Sequence, residues 1–561
     1  MDANPRKPLL LGRLAFSEVL FKDKPSRREM SKLRPAWPLR TLKIRAHRNH
    51  SFEHVASVMA GWAAYDGLNY EWSEAPYDDS LSLSACVPSA EIELVWYDVA
   101  PLRLQPSIPL LGWLCSRIHA LRGMSVSPIL VAIFGLNEDE EAELSKGLVG
   151  LPGVRLAPIA KTLGTLAAPY DQRLLKISGS RLSEAANLLL AKHIACRWVP
   201  ALLSPRIKAV IVDLDQTLYA GVLGEDGLRV ELTPSHTSLQ TALVELKKAG
   251  VFLGVVSKNI RADVEELFQK REDFPIRLED FSAVEIGWGS KAEAIARACQ
   301  ALKIDPSAVL FVDDNPGELI EVAERLTGVS LLQASPDVAR TVNELDFFPG
   351  LWAWNISSTD ALRIADFKAE SARNSIQLAS ADKAAYLREL AAQVDVWVNS
   401  PRLQLRLHEL SQKTNQFNMA LARLDELRVN TYSGAPGLFA VAVGLRDRLS
   451  DSGVVAAMFG RIHDGEVIVE EWVISCRALG RELESLMAEV ALTAAAPGAK
   501  SASFIYRQGQ RNMPALEWLT KVSGATLGPE GKAIVDIATL STVAESPVRI
   551  TIHADERPQL S

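Results

Sequence analysis

The chain has 561 residues, of which 48% are apolar and 23% are charged, and its formal net charge is −7. A chain of this length exceeds what one hydrophobic core can organise, so we expect an α/β multidomain protein. The acidic balance gives no electrostatic reason to expect a nucleic acid partner. No stretch approaches the roughly 20 apolar residues that span a bilayer, so we expect no membrane partner.

The cysteines lie far apart in the sequence, are odd in number, and form no CxxC pair. They are Cys86, Cys115, Cys196, Cys299 and Cys476. This pattern argues against a disulfide framework and suits a reducing compartment. Together with the absence of a convincing signal peptide, it predicts a cytoplasmic location.

The first 200 residues divide into two predicted segments. Residues 1–40 are rich in Arg, Lys and Pro and are predicted as a basic N-terminal arm. Residues 41–200 are predicted as an α/β domain, because 92–99 and 128–134 have the apolar runs of buried strands and 183–194 has helical spacing. Pro200 and Pro205 indicate a domain boundary after this segment.

Three histidines near the start of this domain have spacings that would place them on one helical face: His47, His50 and His54. Such a set can bind zinc. The segment is strongly basic, however, and it has no helical apolar stripe or nearby cysteine. We therefore predict a solvated basic segment rather than a metal site.

The most regular part of the sequence is predicted as a central domain, residues 205–350. Apolar strands alternate there with helices; the strands are 209–214, 251–256 and 308–312, and the helices are 239–249, 261–270, 291–302 and one from about residue 318. Strands that alternate with helices predict a Rossmann-like parallel sheet with helices on both faces.

The remainder of the chain has a different rhythm. Residues 351–393 are predicted as a helical linker and 394–546 as an α+β domain. In that domain we predict consecutive antiparallel strands and one helix; the strands are 438–444, 454–461 and 466–474, and the helix is 483–495. Residues 547–561 are predicted as a tail.

Polar residues stand where the predicted central strands end. The first strand runs into Asp213 and Asp215, the second ends at Ser257, and the third ends at Asp313, followed by Asp314. The intervening helix opens with Lys291. Ligands of open parallel sheets bind beyond the carboxyl ends of the strands, so we expect these groups to meet at one edge.

These residue types are the ones that phosphoryl transfer needs. One carboxylate can attack phosphorus, and a second can protonate the leaving oxygen and then activate water. Carboxylates from two loops suit the hard oxygen coordination of Mg²⁺. A hydroxyl and an ammonium can hold the charged oxygens of the phosphoryl group.

The four short motifs resemble those of the haloacid dehalogenase superfamily: Asp213-x-Asp215-x-Thr217, Ser257, Lys291 and Asp313-Asp314. The resemblance implies that Asp213 is the nucleophile and Asp215 the general acid and base. It also implies that Thr217, Ser257 and Lys291 hold the phosphate. Asp213, the Asp215 carbonyl and Asp313, supported by Asp314, would bind Mg²⁺.

Longer strings narrow the resemblance to the FkbH-like proteins, subfamily IIIC of that superfamily. They are DLDQTLYAGVLGEDG from residue 213, VSKN from 256, FVDDNPGE from 311, TNQFN from 414 and SCRALGRELE from 475. The resemblance implies a phosphatase and acyl transferase that takes a glyceryl-type acyl phosphate and loads an acyl carrier protein for polyketide or related biosynthesis. The alternatives are a plain small-molecule phosphatase and a catalytically silent scaffold protein.

Two positions depart from the pattern of the FkbH-like proteins. Val256 stands where relatives carry a cysteine before the motif serine, and Tyr219-Ala220 replaces Trp-Gly on the flap beside the pocket. Phosphate chemistry needs neither feature. Acyl transfer through an enzyme thiol does, so Val256 favours the plain phosphatase among the alternatives.

The flanking domains carry weaker signals. Arg477, Gly480 and Arg481 fall between a predicted strand and a helix and resemble the coenzyme A or phosphopantetheine loop of GNAT acyltransferases. Glu482 replaces the last small residue of that loop, and the alternative is a helix start that only packs. By the resemblance to the FkbH-like proteins, the N-terminal domain is expected to be SGNH-like or flavodoxin-like. Its sequence contains no Gly-Asp-Ser nucleophile block. Gln416 and Asn418 are predicted as structural polar groups near a turn.

Overall fold

The computed structural model describes residues 7–83, 90–104, 109–203, 207–354, 358–380, 382–540 and 547–553. The chain divides into two compact units, Met1–Ile356 and Ser357–Ser561. Cys86 lies outside the described residues, and the other four cysteines are free. No helix in the described ranges combines the length and the apolar character needed to cross a bilayer.

The first unit begins with a five-stranded parallel sheet in the order β2-β1-β3-β4-β5. Its strands are β1 Arg40–Arg48, β2 Leu68–Tyr77, β3 Ile92–Asp98, β4 Ile129–Phe134 and β5 Val154–Leu156. The helices of this part are α1 Lys7–Leu20, α2 Arg27–Met30, α3 Glu53–Tyr65, α4 Leu110–Met124, α5 Glu138–Gly147, α6 Ile159–Leu163, α7 Gln172–Ser178, α8 Glu184–His193 and α9 Val199–Leu203. The predicted buried strands coincide with β3 and β4, whose residues are all buried.

The N-terminal segment is more ordered than its basic composition indicates. Helix α1 occupies much of the predicted arm, and Phe16 and Leu20 are buried. The prediction of a solvated basic segment is wrong for His47, which ends up buried on β1 with Nε2 2.9 Å from Glu93, and for His50, which is also buried. Burial of His47 is tolerated because its ring nitrogen reaches the Glu93 carboxyl on the neighbouring strand, whereas His50 approaches Ser180 through Nδ1.

A second five-stranded parallel sheet follows in the order β10-β9-β6-β7-β8. Its strands are β6 Ala209–Val212, β7 Phe252–Ser257, β8 Ala283–Ile286, β9 Val309–Asp313 and β10 Ser330–Gln333. Its helices are α10 Leu223–Asp226, α11 Pro234–Lys248, α12 Arg261–Lys270, α13 Lys291–Leu302, α14 Pro316–Arg325 and α15 Val338–Asp346. The predicted α/β class with a parallel central sheet is confirmed.

Local sequence explains where the helices around this sheet begin. The Thr233 side chain accepts the backbone N–H of His236 at the start of α11, and Asn315 accepts that of Gly317 at the start of α14. A proline follows each cap, where its missing N–H costs no hydrogen bond. These N-caps fix where α11 and α14 begin and therefore where the preceding loops end.

The two sheets of the first unit share one hydrophobic core. Within it, Glu344 of α15 is fully enclosed and accepts hydrogen bonds from Ser17 of α1 and from Tyr65 of α3, the latter at 2.7 Å. A buried carboxyl needs such donors to offset lost hydration. The contacts bind helices of the first sheet to a helix of the second.

The second unit contains a mostly antiparallel sheet in the order β17-β16-β15-β14-β13-β11-β18, with β12 paired to β15. Its strands are β11 Gln393–Val398, β12 Phe417–Asn418, β13 Leu438–Arg446, β14 Asp451–His463, β15 Glu466–Ile474, β16 Ser501–Arg507, β17 Glu530–Asp536 and β18 Arg549–His553. Its helices are α16 Ser358–Ala379, α17 Lys383–Leu390, α18 Gln404–Lys413, α19 Glu426–Gly434, α20 Glu484–Ala495, α21 Met513–Ser523 and α22 Ile537–Leu540. The predicted linker is helical, and the predicted tail contributes β18; residues 554–561 lie outside the described ranges.

The parallel pair β15 and β16 opens along its length. Only Ile468 and Val469 pair with β16, and further along β15 the short strand β12 takes the place of β16. The Glu471 carboxylate accepts the backbone N–H groups of Met419, Ala420 and Ala422 beside it. A segment of the chain therefore fills the opening.

Candidate functional site

The polar strand ends of the second sheet meet at one edge. Asp213 follows β6, and β6 lies between β9, which ends at Asp313, and β7, which ends at Ser257. Lys291 is the first residue of α13. The order of the strands thus puts the Asp213 carboxyl between the two neighbouring strand ends, as the sequence predicts.

An ammonium group joins the two acids at the centre of this edge. The Nζ atom of Lys291 lies 2.8 Å from Oδ2 of Asp213 and 2.6 Å from Oδ2 of Asp313. All three side chains are buried. Buried charges need close partners of opposite sign, so this arrangement is stable only because the three groups come together.

Among the described residues, two buried oxygen atoms of the first motif have no hydrogen-bond partner: Oδ1 of Asp213 and Oγ1 of Thr217. Buried polar atoms are almost always paired in native structures. Both oxygens are therefore candidates to bind an external group. The sequence placed both residues in the phosphate site.

The carboxyls provide a donor set that fits Mg²⁺. Asp213, Asp313 and Asp314 each offer an oxygen, and the three oxygens lie within 4.8 Å of one another. Mg²⁺ takes hard oxygen ligands, and it commonly uses one or two carboxylates and keeps several waters. A carboxylate oxygen of Asp213 belongs to this set, so the site offers three acidic oxygens to a divalent ion.

The titration behaviour of these groups follows from burial and charge. Burial and the negative charge of Asp213 raise the pKa of Asp313 and of Asp314 above the usual value for an aspartic acid. Burial lowers the pKa of Lys291, but Asp213 and Asp313 outweigh it and raise that pKa above its usual value. The site is short of positive charge, which a cation would supply.

The Asp215 carboxylate is held by three donors. Oδ1 accepts the hydroxyl of Tyr219 at 2.8 Å and the backbone N–H of Leu223 at 3.0 Å, and Oδ2 accepts Nδ2 of Asn259 at 3.0 Å. The amide of Asn259 also lies 3.1 Å from Oγ of Ser257. This side chain is therefore oriented by the flap and by the loop after β7.

Sequence reasoning missed the positioning residue Asn259. It stands two residues after Ser257 in the same strand-end loop, which was the available signal. The sequence indicates Tyr219 only as a departure from the pattern of the FkbH-like proteins. Its hydroxyl is buried beside Asp215, and burial raises its pKa well above the usual value, so it stays protonated and donates.

The residues predicted as a coenzyme A or phosphopantetheine loop lie in the second unit, before α20. Arg481 is buried, and its NH2 atom lies 3.1 Å from Asp366 and 3.0 Å from Ser452, while NH1 lies 3.3 Å from Asp447. This guanidinium serves an internal ion-pair network. The arrangement speaks against the predicted anion-binding role of Arg481.

Arg477 is placed differently from Arg481. It is half-buried, and burial, together with the nearby charges of Arg406 and Arg363, lowers its pKa to about 9. Gly480 adopts φ +81°, a left-handed conformation, four residues before α20 begins. Asn418 is buried and Gln416 is exposed, and the Asn418 side chain bonds the local backbone at Thr414 and Leu421.

A second polar cluster lies at the carboxyl edge of the first sheet. Asp98, the last residue of β3, accepts two hydrogen bonds from Arg181, at 2.7 Å and 3.0 Å. Nδ1 of His50 lies 3.2 Å from Oγ of Ser180. Nε2 of His50 has no partner but packs among the rings of Trp96 and Phe134. This cluster is largely satisfied internally.

Comparison with known proteins gives little. No protein-family model matches the chain, and no curated protein matches it. Among solved structures, the N-terminal part of the protein BF1531 from Bacteroides fragilis, which contains a phosphatase domain complexed with Mg, is similar at 18% identity over 60% of this chain and 99% of that chain, with a TM-score of 0.45. An uncharacterized protein from Corynebacterium glutamicum is similar at 17% identity over 25% of this chain and 95% of that chain, with a TM-score of 0.19. Both scores are too low to carry an argument about fold or function.

Proposed function

We propose that the edge of the second sheet is a Mg²⁺-dependent phosphatase site of the haloacid dehalogenase type, acting on a phosphorylated small molecule. One observation supports this above the others. A buried carboxylate oxygen, Oδ1 of Asp213, has no partner, while Oδ2 of the same group is fixed by Lys291. A nucleophile needs a free oxygen and a fixed orientation.

The proposed reaction has two displacements. In the first, a carboxylate oxygen of Asp213 attacks phosphorus, the bond from phosphorus to the leaving oxygen breaks, and Asp215 gives that oxygen a proton. In the second, Asp215 takes a proton from a water molecule, which attacks the aspartyl phosphate and releases inorganic phosphate. Tyr219 and Asn259 keep the Asp215 carboxyl turned toward the leaving oxygen.

The remaining residues would hold the phosphoryl group and the metal. The hydroxyls of Thr217 and Ser257 and the ammonium of Lys291 face charge that grows on the phosphoryl oxygens. Asp213, the Asp215 carbonyl, Asp313 and Asp314 would bind Mg²⁺, whose positive charge screens the carboxylates from the incoming phosphate.

The test is phosphate release from a panel of phosphoesters and acyl phosphates, with Mg²⁺ and with excess EDTA. We expect turnover only with Mg²⁺, and we expect Asp213→Asn to lower it by at least about a thousandfold. Phosphate release that survives in Asp213→Asn would remove the proposed nucleophile. No turnover of any substrate would leave the catalytically silent scaffold as the better reading.

A finer version of the proposal adds acyl transfer to an acyl carrier protein. It is supported by the resemblance to FkbH-like proteins, which includes Arg477 in the string SCRALGRELE. Val256 is buried on β7, and Cys299 is buried in α13, where burial raises its pKa to about 11. Neither position offers a reactive thiolate, so the acyl group would pass directly between substrate and carrier.

Intact-mass measurement separates the two versions. A carrier protein carrying its phosphopantetheine arm is incubated with the enzyme, Mg²⁺ and a glyceryl-type acyl phosphate. A mass increase equal to the acyl group supports transfer, and its loss in Arg477→Ala but not in Arg461→Ala, an exposed arginine on β14, would support the anion role. Phosphate release with an unchanged carrier mass supports the plain phosphatase.

A further inference from the structure

Four large apolar side chains stand exposed in residues 207–354. They are Leu228, Ile260, Trp288 and Ile320, with exposed fractions of 37%, 56%, 74% and 41%. Single exposed apolar residues are ordinary. Ile260 and Trp288, however, stand within three residues of the ends of β7 and β8, at the edge where the proposed phosphatase site lies.

Trp288 is the most exposed of the four and is tied to the site at both ends of its loop. The N–H of the preceding Gly287 donates to the carbonyl of Ser257 at 3.0 Å. Two residues further on, Ser290 donates to Glu321 at 2.7 Å, and Lys291 then reaches Asp213. The backbone of this loop is therefore held in place beside the phosphate-binding residues.

The indole is open to a ligand, since 74% of Trp288 is exposed. Apart from their chain neighbours, the flanking Gly287 and Gly289 have no heavy atom within 4 Å of the position that a Cβ would take, so the backbone beside Trp288 is open as well. The loop after β7 carries Ile260, and β7 and β8 are neighbours in the sheet. Leu228, Ile260 and Trp288, which we call the rim patch, thus follow three adjacent strands.

The rim patch stands where the rest of a substrate must pass. Between Asp213 and Ser257 the chain forms only the flap that carries α10 and the helix α11, so no separate cap domain is inserted there. A phosphoryl group held by Ser257 and Lys291 would direct its organic group outward, past these loops. A tryptophan offers a large flat face for such a group at a low entropy cost.

We infer that Trp288 is a substrate-binding residue, which stacks on a flat or apolar organic group attached to the phosphoryl group and thereby selects such substrates over small ones. This inference rests on the proposed phosphatase function. It names the class of substrate, which that function leaves open.

The test uses equilibrium binding, so that it does not depend on turnover. The full-length protein with Mg²⁺ is titrated by calorimetry with phenylphosphonate and with methylphosphonate, which share the phosphonate group and differ in the flat group. We expect wild type to bind phenylphosphonate about tenfold more tightly, Trp288→Ala to lose that preference, and Trp288→Phe to keep most of it. Ile177→Ala, at an exposed apolar residue of the first sheet's helices, is the matched control and should change neither affinity.

The outcomes separate this inference from the function on which it rests. If both phosphonates bind wild type and Trp288→Ala changes them equally or not at all, the role of Trp288 is overturned while the phosphate site stands. If wild type binds neither phosphonate, the proposed phosphate site fails, and the inference fails with it. If Trp288→Ala loses only the phenyl preference, the inference stands.

Discussion

The two parallel sheets of the first unit present similar residues at their carboxyl edges but treat them differently. At the first edge, both oxygens of Asp98 accept hydrogen bonds from Arg181, and His50 is a neutral ring among aromatic side chains. At the second edge, Oδ1 of Asp213 and Oγ1 of Thr217 are buried without partners. Both edges contain buried acids, basic groups and hydroxyls.

The difference teaches that the kinds of residue at a strand end do not identify a binding site. What separates the edges is the acid: both oxygens of Asp98 accept hydrogen bonds inside the protein, whereas Oδ1 of Asp213 accepts none from the described residues. A carboxyl group whose hydrogen bonds are made inside the protein contributes to stability, whereas an unpartnered one can make its hydrogen bonds to a ligand. Substitutions at the first edge should therefore change stability, and those at the second edge should change turnover.

The largest effect is expected for Lys291→Met. The substitution removes the ammonium between Asp213 and Asp313 and the cation that faces the phosphoryl oxygens, so phosphate release should fall about a thousandfold. Lys247→Met, at a lysine that pairs with Asp280 away from the site, is the control and should keep activity within about twofold. Equal losses in both variants would mean that the second edge is also structural.

Asp98→Asn should act in the opposite way. It leaves the guanidinium of Arg181 without its carboxylate in a buried position, so the free energy of unfolding should fall by about 3 kcal/mol. Phosphate release per folded molecule should stay unchanged. Urea unfolding measures the first quantity, and Asp171→Asn, whose partner Arg173 is exposed, is the control and should leave that free energy nearly unchanged. A loss of turnover at full stability would assign chemistry to the first edge.

His50 makes the first edge sensitive to acid. Burial lowers its pKa from 6.5 to about 4, so below pH 6.5 the unfolded chain binds a proton that the folded protein does not. Its contribution to stability is complete above pH 6.5 and is lost as the pH falls toward 4. His50→Asn should reduce the difference in unfolding free energy between pH 7 and pH 4.5 by about 2 kcal/mol. An unchanged difference would contradict this account.

The smallest effect is expected for Tyr219→Phe. Loss of the hydroxyl removes one of three donors that hold Asp215, so kcat should fall about fivefold and KM should stay nearly constant. Tyr432→Phe, which removes a buried tyrosine hydroxyl from the second unit, should leave kcat unchanged. A change in KM alone would show that Tyr219 contacts substrate rather than positioning the carboxyl.

Much of the second sheet and its edge could be predicted from the sequence. Helices α12 and α13 match their predicted bounds to the residue, because apolar periodicity and flanking turns are local signals. The meeting of Asp213, Lys291 and Asp313 followed from parallel strand order alone. The bonds of Asp215 to Tyr219 and Asn259 could not be predicted, because they depend on loop conformation and side-chain rotamers.

The failures have a common physical cause. Strand β1 was read as solvated because it carries Arg and His, and its burial depends on Glu93, on a neighbouring strand that is 46 residues away. For Arg481 the sequence leaves an anion-binding loop and a packed helix start as alternatives, and its carboxylate partner Asp366 is 115 residues away. In the sequence, a charged residue of a buried ion pair looks like a charged surface residue, because its partner is distant along the chain.

The short strand β12 has a kinetic consequence for the second unit. Its backbone pairs with β15, and the N–H groups of Met419, Ala420 and Ala422 end on the buried carboxylate of Glu471. Amide protons held in this way exchange with solvent only when the segment detaches. Any molecule that enters between β15 and β16 must wait for that detachment, so its association rate would level off at high concentration instead of rising in proportion.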